Sequence, residues 1–267
     1  MASTLTKNKL TSILQSKFNP KELVWINEKT TILANPETSK KFSVFFSLVP
    51  KFISDEIIIW SNAEINTIEY IYPGFSKTNW TKQDISRTLL MISIKASVNK
   101  EILQPFFQTS EMKEQVTLYK SLYFLENAAA YKNQVVDGIR TNMSNVFKAI
   151  AYGNPYPEAY LDEEQWNQMI LKTFFMDLNI YPIQNIDQGK NEHLANMLQD
   201  YVKERWAAGR KASLEIWRMV DGYLREDLKE LINQKKFEGI EREILTKLVN
   251  NQKDLTSDFW NKIGREQ

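Results

Sequence analysis

No cysteine occurs in the 267 residues, which excludes disulfides, thiolate metal ligands and a cysteine nucleophile. Histidine is nearly as scarce: His193 stands alone and cannot build a multi-histidine metal centre. Glycine and proline number eight each, too few breakers for a turn-rich β fold. Charge of one sign is also lacking. Lys plus Arg count 34 against 33 for Asp plus Glu, a net of +1, so no long-range field draws the chain to nucleic acid or an anionic bilayer. Apolar runs are short: Phe45-Phe46 and Ile57-Ile58-Ile59-Trp60 fall far below the ~20 residues that span a bilayer. The N-terminus, MASTLTKNKLTSILQSKF, has no continuous apolar stretch of the kind a signal peptide needs. The expectation is a soluble, cytoplasmic protein with no transmembrane segment and no nucleic-acid partner. Phosphate-binding and nucleophile-elbow loops are missing as well, and no DxD or ExxE-type cluster falls within 138–218, so neither a cofactor nor a metal is expected.

What is present reads as helix after helix. A hydrophobic fraction of 43% with 25% charged residues supports a sizeable core. Asn19-Pro20 is an N-cap followed by Pro at the first helical position. Phe42, Phe45, Phe46, Val49 and Phe52 recur at helical spacing, with Pro50 set to bend or end that segment. Thr81 with Asp84, and Asp162 with Gln165, are capping pairs, the second framed by a Leu161–Trp166 staple. Met112, Val116, Tyr119 and Tyr123 fall on one stripe. Gly209 marks the end of a helix running from about Asn191. EIIIW and TIEYIYPGF have strand-like composition but no evident sheet partners. The predicted fold is all-α, roughly nine to eleven short helices, arranged as stacked, α-solenoid-like helical hairpins in a single compact domain over 1–267. The loop AYGNPYPEAY, with two prolines and three tyrosines, reads as an ordered turn rather than a linker.

From Gly138 to Arg218 polar residues stand where a core helix is usually apolar. On a helix over about 135–152, Gly138, Asn142, Asn145 and Ala149 form a strip of small and amide side chains beside an apolar face, with Arg140 on the opposite border. The bland reading of that strip is a close helix–helix contact. The helix opening at Asp162 is apolar almost all round, which predicts a place in the middle of the fold. That arrangement buries Asn167, which must then find partners, while Lys172 is either a paired buried amine or a snorkelling surface lysine. Leu194, Leu198, Tyr201, Val202 and Ala208 define a third stripe, and Arg205 projects near its centre. An arginine there needs a structural carboxylate, carbonyls, or an anionic ligand. Glu204, one position away, faces elsewhere and is a poor partner from the same helix.

Arg140-Thr141-Asn142-Met143, Asn154-Pro155-Tyr156-Pro157, Trp166-Asn167-Gln168-Met169 and the run Glu204 to Arg210 (ERWAAGR) resemble, in this order, the EboA-like proteins. Phe45 to Phe52 (FFSLVPKF) joins the match, with Lys51 where the family tends to have Arg. The resemblance implies an accessory protein encoded in a bacterial operon, also found in some algal plastids, linked to secondary-metabolite production. It further implies companions that resemble a prenyltransferase, a sugar-phosphate cyclase, a hydrolase, an isomerase and a phosphatase, and hence a prenylated or cyclitol-type metabolite and its export. No catalytic residue is carried over from the family.

Two functions of different class follow. The first is a ligand-binding or scaffolding accessory without catalysis, whose candidate ligand residues are Arg140, Asn142, Asn145, Asn154, Asn167, Lys172, Glu204, Arg205 and Arg210, with Arg205, Asn142, Asn145, Asn167 and Arg140 converging on one concave pocket. The second is an enzyme acting on a phosphorylated or polyol intermediate through Lys172, Glu204 or His193, with Arg205 or Arg210 clamping an anion. Partners under the first reading are a small-molecule pathway intermediate or operon-encoded enzymes; beside both stands a pure interaction protein, docking to a membrane-bound partner such as the prenyltransferase through the exposed side of segments like TIEYIYPGF.

Overall fold

A computed structural model describes residues 4–252 and 255–266. The fold is all-α: the described residues contain helices and short 3-10 turns and no strand. The strand-like EIIIW contributes only an isolated antiparallel bridge, Ile57 to Thr81, with Ile58 N–H donating to the Trp80 carbonyl at 2.9 Å. TIEYIYPGF is mostly helix, within Asn62–Ile71. The chain breaks into more, shorter pieces than nine to eleven, because several connections are themselves single turns such as Phe106–Thr109 and Tyr156–Tyr160. None of the helices is long and apolar enough to cross a membrane, among the described residues.

The chain gathers into two compact units, Met1–Leu161 and Asp162–Gln267. In the first, helix Lys82–Ser93 is the central element, packed by Pro20–Ala34, Phe42–Phe52 and Met112–Ser121. It starts at the expected cap: Thr81 Oγ1 accepts from Asp84 N–H at 3.1 Å, and the Asp84 carboxylate accepts from Thr81 N–H at 3.2 Å. Gln83, Ser86, Arg87 and Thr88 on it are buried, and each finds a partner inside. Gln83 donates to the Ile53 carbonyl at 3.0 Å, Arg87 to that of Phe46 at 3.4 Å, and the Thr88 and Ser121 hydroxyls lie 2.7 Å apart. The sequence pattern assigned the middle of the fold to the helix opening at Asp162. Helix Lys82–Ser93 is the enclosed one in its own unit because these polar groups are satisfied by neighbours rather than by water.

One charge anchors this unit. Lys120 is buried, and its ammonium donates to the Asn79 carbonyl at 2.8 Å and to Asp84 Oδ2 at 3.0 Å, 4.1 Å from the centroid of the Trp80 ring. Burial alone would raise the Asp84 carboxyl, but the Lys120 charge and the hydrogen bonds from Thr117, Lys120 and Thr81 outweigh it, and Asp84 lies below its usual range. Trp80 in turn stacks on Phe75 at 4.8 Å, and Tyr72 packs edge-on to both. The stripe predicted over 111–125 is displaced. Helix Met112–Ser121 buries Thr117, Leu118, Tyr119, Lys120 and Ser121, while Met112 is exposed, because the Asp84 cluster draws the polar side of the helix inward.

The loop AYGNPYPEAY is ordered as expected and belongs to the first unit. Asn154 is buried, its amide donating to the Ala149 and Tyr119 carbonyls at 2.9 and 3.2 Å, while its Oδ1 accepts from Tyr156 N–H at 2.9 Å. Phe42–Phe52 runs two residues past Pro50 before ending. Replacing Lys120 with Met should destabilise the chain by about 3–5 kcal/mol, since Asp84 is left as an unpaired buried charge. The double variant Lys120→Met, Asp84→Leu should recover a large part of that loss; urea unfolding of the two single variants and the double one measures the coupling.

Candidate functional site

The second unit opens with the predicted capping box, Gln165 N–H donating to Asp162 Oδ1 at 3.0 Å and Asp162 N–H to Gln165 Oε1 at 3.2 Å. Helix Glu163–Phe175 packs on helix Glu192–Ala207. Asn167, 1% exposed, joins them through a reciprocal amide pair with Asn191, at 3.1 and 2.8 Å. Asn191 is also the N-cap of the second helix, its Oδ1 accepting from Leu194 N–H at 2.8 Å. Asn167 is therefore buried and partnered as its position demanded, and its partner is a cap.

Helix Glu192–Ala207 buries Leu194, Ala195, Leu198, Gln199, Tyr201 and Val202, and there its apolar stripe ends. Ala208, assigned to the stripe, is exposed. The chain leaves the helix through Gly209 at φ +69, with Gly209 N–H donating to the Trp206 carbonyl at 3.1 Å and Arg210 N–H to that of Arg205 at 2.8 Å. These two bonds are a Schellman turn, and the left-handed residue at its centre favours glycine. The turn carries the backbone of Lys211 back over the last helical turn. There the Lys211 carbonyl accepts from Arg205 Nε at 2.7 Å, and the Tyr201 hydroxyl lies 3.2 Å from Arg205 Nη1. Arg205 is half-buried, sits 5.6 Å from the Tyr201 ring and forms no ion pair with any carboxylate of the described residues. Its side chain is fixed by neutral oxygens rather than by a counter-ion.

That charge lines a cavity of about 320 Å³. Phe174, Leu178 and Tyr201 give it apolar walls, and Arg205, Ser213, Glu215, Tyr181, Asn179 and Asp177 give it polar ones. Gly264, on helix Ser257–Glu266, packs against Tyr181, where a Cβ would fall 2.5 Å from the ring. The Tyr181 hydroxyl is buried with no hydrogen-bond partner among the described residues. Glu215, 2% exposed, accepts from Ile180 N–H at 2.7 Å. Burial pushes the Glu215 carboxyl up to about 7, opposed only in part by the Ile180 hydrogen bond and the Arg218 charge. Arg218 is committed elsewhere. At 3% exposure it holds Asp187 through two parallel bonds, Nε to Oδ1 at 2.8 Å and Nη2 to Oδ2 at 2.7 Å, which bring the Asp187 carboxyl down to about 2. Ser257 Oγ donates to Asp187 Oδ2 at 2.6 Å, and Arg218 Nη1 donates to Asn261 Oδ1 at 3.2 Å, which ties helix Ser257–Glu266 to the same pair.

The other predicted residues divide by unit. The helix expected over 135–152 is broken into Lys132–Ile139 and Ser144–Ala151. The break follows from Thr141: its N–H closes a tight turn on the Gly138 carbonyl at 3.1 Å, while its hydroxyl accepts from Met143 N–H at 3.1 Å. A helical wheel drawn through it loses phase, so Asn142 and Asn145 are exposed and form no strip with Gly138 and Ala149, which are buried. Arg140 is exposed and pairs with Asp137 at 3.1 Å. Asn145 donates to Met112 Sδ at 3.8 Å. Asn154 is spent on the backbone groups described above. In the second unit Lys172 is half-buried, and Glu204, Arg210 and His193 are exposed; none of these four lines the Arg205 cavity. Of the nine candidates Arg205 alone reaches it. Sequence reasoning missed Glu215, Tyr181 and the engaged Arg218. The run EIWRM carried the only available signal, a Glu and an Arg in an otherwise apolar five-residue turn, Ile216–Val220 with Glu215 as its cap.

Among the described residues no group of three or more His, Asp or Glu side chains could hold a metal ion. The fold defines the chain as an all-helical protein. The family model described as "Metabolite traffic protein EboA" matches residues 6–221, and the chain belongs to the EboA family. No curated protein and no solved structure matches it. Residues 222–267, including Gly264 in the cavity wall, lie outside the matched range.

The Glu215 carboxyl makes stability depend on pH in a defined window. Between its ordinary value of 4.5 and about 7 the folded chain holds a proton that the unfolded chain has released, so stability falls as pH rises through that window and levels off above it. The loss is on the order of 3 kcal/mol. Asp187 acts in the opposite sense, but only below its ordinary 3.8, where stability falls as pH drops toward about 2. Glu215→Gln keeps an oxygen for Ile180 N–H and should flatten urea-derived stability between pH 5 and 8, leaving the variant the more stable protein at pH 8. A variant as pH-dependent as the wild type would place the titrating group elsewhere.

Proposed function

We propose that this protein is a ligand-binding accessory of a bacterial secondary-metabolite pathway, of prenylated or cyclitol type, and that it holds a small anionic intermediate in the Arg205 cavity without transforming it. The observation that carries the reading is Arg205 itself: a guanidinium fixed by two neutral oxygens, facing a 320 Å³ cavity and in no ion pair with a carboxylate of the described residues, although Asp177 and Glu215 stand in the same walls. A carboxylate or phosphate oxygen accepts from the remaining guanidinium N–H groups and offsets the cost of half-burying that charge. The Tyr181 hydroxyl supplies a second donor, and Glu215 in its protonated form a third. Phe174 and Leu178 would cover the apolar part of the same molecule.

The enzymatic alternative uses Lys172, Glu204 or His193 as acid or base. It draws less support, because His193 and Glu204 are exposed and none of the three lines the cavity. Docking to a pathway enzyme remains part of the proposal, with Ile59 and Tyr70 as the apolar side chains that protrude furthest, at 89% and 87% exposure. The cytoplasm is the compartment proposed for all of this.

Native mass spectrometry of the protein isolated with its pathway running should find a retained anionic small molecule. Arg205→Gln should lose it, with binding weakened by about 10- to 100-fold, as removal of a charge-assisted hydrogen-bond donor implies. Equal retention by wild type and variant would overturn the assignment of the site.

A further inference from the structure

The first unit has a cavity of its own, about 290 Å³, with different chemistry. That volume sits at the small end of ligand cavities, ~300 Å³ and upward, enough for about one ring. Four glutamines line it: Gln104 and Gln108 at the rim, Gln115 from helix Met112–Ser121 and Gln134 from helix Lys132–Ile139. Phe107 and Tyr119 form its aromatic wall, their rings edge to face at 5.1 Å. Gly138 keeps the opposite backbone flush with Tyr119, for a Cβ there would fall 2.5 Å from the Tyr119 hydroxyl oxygen.

Two features point to a ligand and to its charge. Gln134 Oε1 is buried and accepts no hydrogen bond from any described residue, although the Gln134 backbone carbonyl takes the Tyr119 hydroxyl at 3.2 Å. A buried amide oxygen left without a donor is costly, and the soft terminal torsion of Gln134 lets that amide turn to a ligand hydroxyl in the cavity it lines. No Lys or Arg lines the cavity, and its one carboxylate, Asp137, is engaged by Arg140 at 3.1 Å. Nothing in the wall compensates a phosphate or carboxylate, whereas amides offer a donor and an acceptor side by side, as hydroxyl groups require. Aromatic faces suit the C–H surface of a saturated ring.

We propose that this cavity is a second small-molecule site, selective for an uncharged, hydroxyl-rich ring that donates a hydrogen bond to Gln134 and packs against Phe107 and Tyr119. It stands apart from the Arg205 cavity in residues, charge and compact unit, so either assignment can fail alone.

Saturation-transfer NMR on the full chain tests it, with glucose as the neutral probe and glucose 6-phosphate as its charged counterpart. Glucose ring protons should receive transfer, and glucose should shift the Gln134 side-chain amide resonances of the wild-type protein. Gln134→Leu should weaken glucose binding at least tenfold with an unchanged circular-dichroism melt, and Arg205→Gln should leave it unaltered. The proposal is overturned by absence of transfer, by wild-type Gln134 resonances that stay in place, by preference for the phosphate in the Arg205→Gln background, or by loss of glucose binding with Arg205 alone.

Discussion

The second unit depends on one buried ion pair, Arg218 with Asp187. Removing two charges from water is expensive, and only a two-bond geometry with further hydrogen bonds offsets it; here Ser257 and Asn261 supply those bonds. The pair has two consequences. It fastens helix Ser257–Glu266, so that Gly264 lies against Tyr181 in the cavity wall. It also commits Arg218 to Asp187, which leaves Glu215 buried beside a guanidinium bonded elsewhere, and a carboxyl without a close counter-ion holds its proton to about 7. Burial thus sets the protonation of Glu215, and the neighbouring Arg218 charge, committed to Asp187, opposes it only in part.

Arg205 shows the opposite arrangement. Its position was assigned a structural carboxylate, carbonyls or an anionic ligand, and no carboxylate of the described residues pairs with it, whereas a carbonyl does. The Schellman turn at Gly209 holds the side chain instead, bringing the Lys211 carbonyl onto Nε. A carbonyl satisfies a donor without cancelling the charge, so the guanidinium is oriented and still attractive to an anion. The same backbone turn that ends the helix therefore fixes the cavity's cation.

In the first unit Asp84 pairs with Lys120, and the buried polar side chains of helix Lys82–Ser93 find partners on neighbouring segments of the same unit. The buried polar groups give that helix an amphipathic look in sequence, while the helix opening at Asp162 looks more enclosed than it is, with Phe175 exposed at its end. Hydrophobicity counts cannot separate a polar residue facing water from one facing a matched partner. The second unit repeats the point at Asn167, whose partner Asn191 lies 24 residues away.

Local physics was legible in the sequence. The all-α class and the helix-end signals at Asn19, Thr81, Asp162 and Gly209 rest on backbone groups within four residues of one another, and each is where the pattern put it. So was the oddity of Arg205, because a charge on an apolar stripe violates the pattern wherever the stripe packs. The break at Thr141 was less legible: a threonine is compatible with a helix interior, and only its closed turn on Gly138 reveals the end. What faces Arg205, why Glu215 holds a proton and why Gln134 lacks a donor were decided by tertiary structure alone. Each depends on groups brought together from distant parts of the chain, and burial, not residue type, sets the cost of leaving a charge or an amide unmatched.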